Sequence, residues 1–123
     1  MKMTQDKKSI GKSGEDIACK YLKKKKYKIV EKHFSCRQGE IDIIAEDRNK
    51  VLCFVEVKAR SSTGFGLPEE SVDFRKQKKL TAAAFIYIES RNVVSKEMRF
   101  DIVSVDLSDQ TARLIKNAFD ASI

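Results

Sequence analysis

The fold of this chain is decided by the stretch GEIDIIAEDRNKVLCFVEVK, residues 39–58. Its apolar positions predict two strands, over residues 39–46 and 51–58, joined by a polar turn at residues 47–50. The run from Val51 to Val55 is apolar at every position, which is typical of a strand covered on both faces. The stretch therefore predicts a hairpin inside a sheet that has further layers on both sides.

The same hairpin gathers charged residues on one face. Side chains alternate along a strand, so Glu56 and Lys58 point the same way. If Ala45 pairs with Cys53, Asp42 lies opposite Glu56 with Cβ atoms about 5 Å apart. Two carboxylates at this distance repel by roughly 3 kcal/mol at an effective dielectric near 20, so they need a shared proton or a cation. A divalent metal with a lysine beside it indicates phosphodiester cleavage.

An alternative explanation is that these charges are ordinary solvated residues at the ends of hairpin strands. The apolar strand that leads directly into Glu56 favours a site, because charges at the end of a doubly covered strand carry a desolvation cost.

Composition bounds the class of protein. The chain has 123 residues, enough for one domain with a single core, and a formal net charge of +7. Basic clusters at residues 23–26 and 75–79 favour a nucleic-acid partner, although a solvated lysine-rich surface would give the same composition. Three cysteines without a CxxC pair predict reduced, unpaired thiols, not a zinc site with His33. The absence of a membrane span or signal peptide predicts a cytoplasmic protein with no membrane partner.

The predicted elements form one domain at residues 9–119, after a lead-in at residues 1–8 and before a tail at residues 120–123. The first helix is expected from Ser9 or Ser13 to about Lys25, and a second from Asp73, its N-cap, to about Glu89. Strands are predicted at residues 27–34, 39–46, 51–58, 99–107 and 111–117, and a flexible loop at residues 59–67, followed by Pro68. A helix between the third and fourth strands allows a crossover connection. The order predicts an α/β three-layer sandwich with a central mixed sheet flanked by helices.

Glu15 has two interpretations. With Ser13 as an N-cap, Glu15 lies in the first helical turn, where a carboxylate complements the helix dipole. It also lies at the edge of the apolar stripe, from which it could lean over the sheet towards Asp42. The residues alone favour neither interpretation.

Several short motifs follow one another along the chain: Gly14-Glu15, Gly39-Glu40-Ile41-Asp42, Phe54-Val55-Glu56-Val57-Lys58, Phe65-Gly66, Lys76-Gln77 and Arg99-Phe100-Asp101. In this order and spacing they resemble the YraN-type family of uncharacterised bacterial proteins, over roughly residues 9–119. That family is similar to the PD-(D/E)XK nuclease superfamily and, within it, to archaeal-type Holliday junction resolvases. The resemblance implies a restriction-endonuclease-like fold and a magnesium-dependent phosphodiesterase site.

The resemblance also implies roles for individual residues. Asp42 and Glu56 would bind the metal, Mg²⁺ or Mn²⁺, and Lys58 would orient the attacking water or stabilise developing charge. Glu15 would complete the catalytic set, directly or through water. Lys76 and Gln77 would match polar positions that some members place on the following helix. Apart from the resemblance, the basic residues Arg37, Arg60 and Lys79 are predicted to contact nucleic acid together with Lys76 and Gln77. Two positions depart from the expected pattern, Ile41 in place of a proline and His33 in place of an Asn, and His33 is given no chemical role.

Three functions are compatible with these features. The first is a hydrolase, a metal-dependent endonuclease acting on structured or branched DNA. The second is a nucleic-acid-binding protein of the same fold that retains the acidic residues without cleaving. The third is a protein-interaction module, which the positive charge disfavours. Related scaffolds bind nucleic acid with decayed sites, so fold does not fix activity. A homodimer is compatible with all three functions.

Overall fold

The computed structural model describes residues 7–61, 71–94 and 97–122. These residues form two helices and five strands, in the order α1 (Lys7–Lys24), β1 (Lys28–Cys36), β2 (Gly39–Glu46), β3 (Leu52–Arg60), α2 (Phe74–Ser90), β4 (Met98–Asp106) and β5 (Thr111–Phe119). Every predicted element is present and of the predicted type. The described part contains no helix that is long and apolar enough to cross a membrane.

Some boundaries differ from the prediction. The first helix begins at Lys7, because the lysines before Ser9 are good helix formers, so Ser13 lies inside the helix and the prediction of a cap there is wrong. Ala59 and Arg60 belong to β3 and not to the predicted loop, whose residues 62–67 lie outside the described ranges together with Pro68. The N-cap of α2 is confirmed, since Asp73 Oδ1 accepts a hydrogen bond from the Lys76 backbone N–H at 2.9 Å.

The five strands lie in one sheet in sequence order. The pairs β1–β2, β2–β3 and β4–β5 are antiparallel, whereas β3 and β4 are parallel. A parallel pair needs a crossover connection, and α2 lies in the segment that supplies it. The predicted mixed sheet is therefore confirmed.

Each helix covers one face of the sheet. The cluster beneath α1 contains the buried apolar residues Ala18, Leu22, Ile43, Ala45, Val55 and Val103. The cluster beneath α2 contains Ile44, Phe54, Leu80, Ala84, Tyr87 and Phe100. The sheet is thus the middle of three layers, as the uniformly apolar start of β3 predicted. The three cysteines carry free thiols, which is also as predicted.

The predicted register of the central hairpin is correct. Ala45 pairs with Cys53, and the turn is closed by Asp47, whose Oδ1 accepts from the backbone N–H groups of Asn49 at 2.8 Å and Val51 at 2.9 Å. The regular β2–β3 ladder ends at the pair Ile43–Val55. The next residues along the two strands are Asp42 and Glu56, so the carboxylates lie where the strands begin to separate.

Candidate active site

Asp42 marks a break in β2. Its carboxylate Oδ2 accepts a hydrogen bond from the Val57 backbone N–H at 2.8 Å. If the β2–β3 ladder continued, this N–H would donate to the backbone carbonyl of Ile41 instead. Ile41 packs in the α2 cluster and Ile43 in the α1 cluster, although residues two apart in a regular strand share a face. A side chain thus replaces a backbone acceptor, and the strand twists as it leaves the ladder.

The neighbouring strand is irregular at the same level. His33 lies between the pairs Lys32–Ile43 and Phe34–Ile41, opposite Asp42, and has a left-handed backbone with φ of 58°. For a residue other than glycine this conformation costs of order 1 kcal/mol and is found more often at functional sites. The irregularity accompanies a contact between His33 Nε2 and Glu15 Oε1 at 2.7 Å.

Glu56 is the most perturbed carboxyl group at this end of the sheet. It is 7 % exposed. Its pKa is raised from the ordinary value of 4.5 to about 7, chiefly by burial and then by the adjacent Asp42 carboxylate through its charge and a shared hydrogen bond. Lys76 and Lys58 oppose this effect without cancelling it. A carboxyl group that titrates near neutral pH beside a second carboxylate is a feature of catalytic and metal sites.

Two lysines from different elements contact Glu56. Lys58 on β3 and Lys76 on α2 each place Nζ 3.6 Å from Glu56 Oε2. The Asp73 cap begins α2 at this point, so Lys76 lies in the first turn and reaches the end of the sheet. Both ammonium groups are partly exposed, which leaves them able to contact a ligand as well as Glu56.

Glu15 on α1 lies near Asp42, on the face of the sheet that α1 covers. Burial raises its pKa, and the charge of Asp42 is the next largest cause, so the two side chains interact. The helix begins two turns before Glu15, which makes the interpretation as a first-turn dipole partner wrong. A Cβ atom on Gly14 would lie 2.6 Å from the Ala59 Cβ, so only glycine lets α1 lie this close to β3.

The chemistry of these donors restricts the metal that they could hold. Within the described ranges, no group of three or more His, Cys, Asp or Glu side chains is placed to hold a metal ion. A metal ion at this site would therefore have two carboxylate ligands, from Asp42 and Glu56. Such a pair suits Mg²⁺, which is held by one or two carboxylates and keeps several waters or substrate phosphate oxygens, better than a structural Zn²⁺.

Of the predicted site residues, the structure brings together Asp42, Glu56, Lys58 and Lys76, and it places Glu15 near Asp42. The Gln77 amide donates to the Val72 carbonyl at 3.0 Å, and the Arg60 carbonyl accepts from the Leu107 N–H at 2.7 Å. Arg37 and Lys79 are exposed. Their contacts with nucleic acid stay predictions.

Sequence reasoning missed His33. No local pattern signals its left-handed backbone or its contact with Glu15, since both depend on how α1 lies across β1. The residue type was the available hint, because His is one of the residues enriched in the left-handed conformation.

The chain is similar to proteins of several bacteria that bear the name UPF0102 protein. A UPF0102 protein of Caldanaerobacter subterraneus subsp. tengcongensis is 50% identical over 111 residues, covering 90% of each chain. A UPF0102 protein of Persephonella marina is 47% identical over 110 residues, covering 89% of this chain and 92% of its own. The profile described as uncharacterised protein family UPF0102 matches residues 14–105. The chain therefore belongs to UPF0102, the YraN-type family that its motifs resemble.

Proposed function

We propose that this protein is a metal-dependent endonuclease that hydrolyses a phosphodiester bond in structured or branched DNA, on a restriction-endonuclease-like fold. One observation carries the proposal: the carboxyl groups of Asp42 and Glu56 share a hydrogen bond, and a lysine lies 3.6 Å from Glu56. Held without a cation, this pair keeps a proton on Glu56 up to about pH 7. A divalent cation would replace that proton.

Each residue of the candidate active site would have a separate role. Asp42 and Glu56 would hold Mg²⁺ or Mn²⁺, which when bound polarises a phosphoryl oxygen and lowers the pKa of a bound water. Lys58 would donate a hydrogen bond to the attacking water or to a phosphoryl oxygen. Glu15, fixed by His33, would accept a hydrogen bond from a water beside the carboxylates. The site lies where the β2–β3 ladder ends, and the partly exposed Lys58 and Lys76 beside Glu56 would be the first groups to meet a substrate phosphate.

The surface around the site suits a phosphate backbone. The chain has a net charge of +7, and Lys76 already reaches the carboxylates. With Arg37, Arg60, Gln77 and Lys79 it would contact phosphates, which positions a nucleic acid without reading its sequence. Three free thiols suit a reducing compartment, and we place the protein in the cytoplasm.

A second function, nucleic-acid binding without cleavage, is favoured by the two ion pairs of Glu56. Lys58 and Lys76 both contact this carboxyl group in the protein alone. If these ion pairs persist, the lysines neutralise the site and no metal is needed.

Titration calorimetry with Mg²⁺ and Mn²⁺ tests the proposal. The wild type should bind a single divalent cation, and Asp42→Asn should lose binding, because the substitution removes one ligand while its amide oxygen can still accept from Val57. The exposed Glu40→Gln on β2 serves as the control and should bind as the wild type does. Equal binding by wild type and Asp42→Asn would refute the metal site.

The same preparations should then be incubated with four-way junctions, nicked duplexes and linear duplexes. Metal-dependent cleavage of the branched substrates by the wild type, and none by Asp42→Asn, is the expected result. Binding of the junction without cleavage at any metal concentration would favour the second function.

A further inference from the structure

A basic cavity of about 560 Å³ lies near the N-terminal end of β3, away from the candidate active site. The end of α1 with the residues that follow it, the β2–β3 turn and β5 contribute to its wall. These three parts of the chain supply five cations: Lys24, Lys25, Lys26, Arg48 and Lys116. Like charges that converge from separate elements repel one another, and a bound anion would relieve that repulsion.

Asp47, the acidic residue in the cavity wall, forms an ion pair with Arg99. Asp47 is 9 % exposed, and its Oδ2 lies 2.7 Å from Arg99 Nη1 while its Oδ1 accepts from two backbone amides. Burial alone would raise the pKa of Asp47, yet the hydrogen bonds from Arg99, Val51 and Asn49 hold it below its usual range. The carboxylate is therefore ionised and paired with Arg99, which also pairs with Asp101. The five cations still outnumber the one carboxylate in the cavity wall.

The wall of the cavity is held in place by further hydrogen bonds. Arg99 Nη2 donates to the Tyr27 hydroxyl at 2.7 Å, and burial raises the pKa of Tyr27 to about 12, so this phenol adds no negative charge at neutral pH. The Leu114 N–H donates to the Tyr21 hydroxyl at 3.1 Å, which ties β5 to α1. Lys25 Nζ lies 5.2 Å from the centre of the Tyr21 ring. A pre-formed cavity binds a ligand without the cost of ordering its walls.

We propose that this cavity is a second binding site, which takes a ligand with two or more linked phosphate groups. Lysine ammonium groups bind phosphate oxygens as point charges and the guanidinium of Arg48 binds them through two parallel hydrogen bonds. The five cations of the wall leave an excess of positive charge over its one carboxylate. The volume of the cavity is within the range of small-molecule sites. The linked phosphates can belong to a free polyphosphate or to the backbone of a nucleic-acid strand.

The site is separate from the carboxylate pair. Glu56 lies four residues beyond the start of β3 at Leu52, which is about 13 Å at the usual rise along a strand. The β2–β3 turn that carries Arg48 lies beyond Leu52 in the other direction. Binding here consequently requires neither a metal at Asp42 nor cleavage, and it goes beyond the proposed nuclease function.

A titration of ¹⁵N-labelled protein with tripolyphosphate at fixed ionic strength tests the site. We expect saturable shifts at the backbone amides of Arg48, Asn49 and Lys116. The double variant Arg48→Gln/Lys116→Gln should bind about tenfold more weakly, about 1.4 kcal/mol. The control Lys20→Gln/Arg75→Gln removes the same charge from exposed positions that do not line the cavity, and should bind within twofold of the wild type.

Three further outcomes are informative. The absence of shifts at these amides, or equal weakening in both double variants, would overturn the proposal, because binding would then follow net charge alone. Displacement of tripolyphosphate by a short duplex would identify nucleic-acid phosphates as the ligand, whereas no displacement would identify a free polyphosphate. Asp42→Asn should bind tripolyphosphate as the wild type does, so loss of cleavage and loss of this site are distinguishable.

Discussion

Replacing Glu56 with Gln should stabilise the metal-free protein at alkaline pH and not at acidic pH. The pKa of Glu56 is raised from 4.5 to about 7 in the folded protein. Between these values the folded protein holds a proton that the unfolded chain has released, so its stability falls as the pH rises across this window. The difference of about 2.5 pH units corresponds to about 3 kcal/mol.

Gln carries no charge at any pH and therefore escapes this loss. The free energy of unfolding of Glu56→Gln, relative to that of the wild type, should increase by up to about 3 kcal/mol between pH 4.5 and pH 8. Urea unfolding at half-unit intervals of pH, in the presence of a chelator, measures this difference. Glu40→Gln is the matched control, because it makes the same substitution at an exposed position of β2 and should show a flat difference.

A flat difference for Glu56→Gln would refute the reasoning. So would a variant that is less stable than the wild type at pH 8, since the ion pairs with Lys58 and Lys76 would then outweigh burial and the repulsion from Asp42. Either result would make the cluster a structural ion-pair network. Added Mg²⁺ should reverse the effect in the wild type, because a cation stabilises the ionised carboxylate.

Three further predictions follow from the site and its supports. Lys58→Ala should abolish cleavage and leave binding of a four-way junction nearly unchanged, since it removes one of many cations. Cleavage and gel-shift assays on one preparation check this prediction. Parallel loss of cleavage and binding would make Lys58 a binding or structural residue. Gly14→Ala should destabilise the protein by about 1–2 kcal/mol, because overpacking against Ala59 outweighs the gain in helix propensity. Chemical denaturation of the single variants and of Gly14→Ala/Ala59→Gly should show rescue in the double variant, whereas additive effects would contradict the close contact. Replacing Lys76 and Lys79 with Gln should flatten the salt dependence of DNA affinity by about one to two units, with little change in preference between two unrelated duplexes; an unchanged slope would remove α2 from the interface.

The register of the central hairpin could be predicted from local sequence patterns. The polar turn between two apolar runs fixes the pairing of Ala45 with Cys53, because the register of a hairpin is set by the position and length of its turn. The same register brings Asp42 next to Glu56, so the carboxylate pair was predictable. The Asp73 cap and the apolar stripe of α2 are also local features, and both elements were predicted correctly.

The other features of the candidate site depend on contacts between residues far apart in the chain. The break in the ladder at Asp42, the left-handed His33 and the approach of α1 through Gly14 exist only once the helix lies on the sheet. The ion pair of Lys76 with Glu56 and the pairing of Arg99 with Asp47 likewise join separate elements. The sequence by itself determined the elements, the hairpin register and the pair of acids, since each follows from side-chain alternation and turn chemistry within one short segment. Only the tertiary structure decided how deeply Glu56 is buried and which cations surround it, because burial and charge proximity are properties of the packed layers.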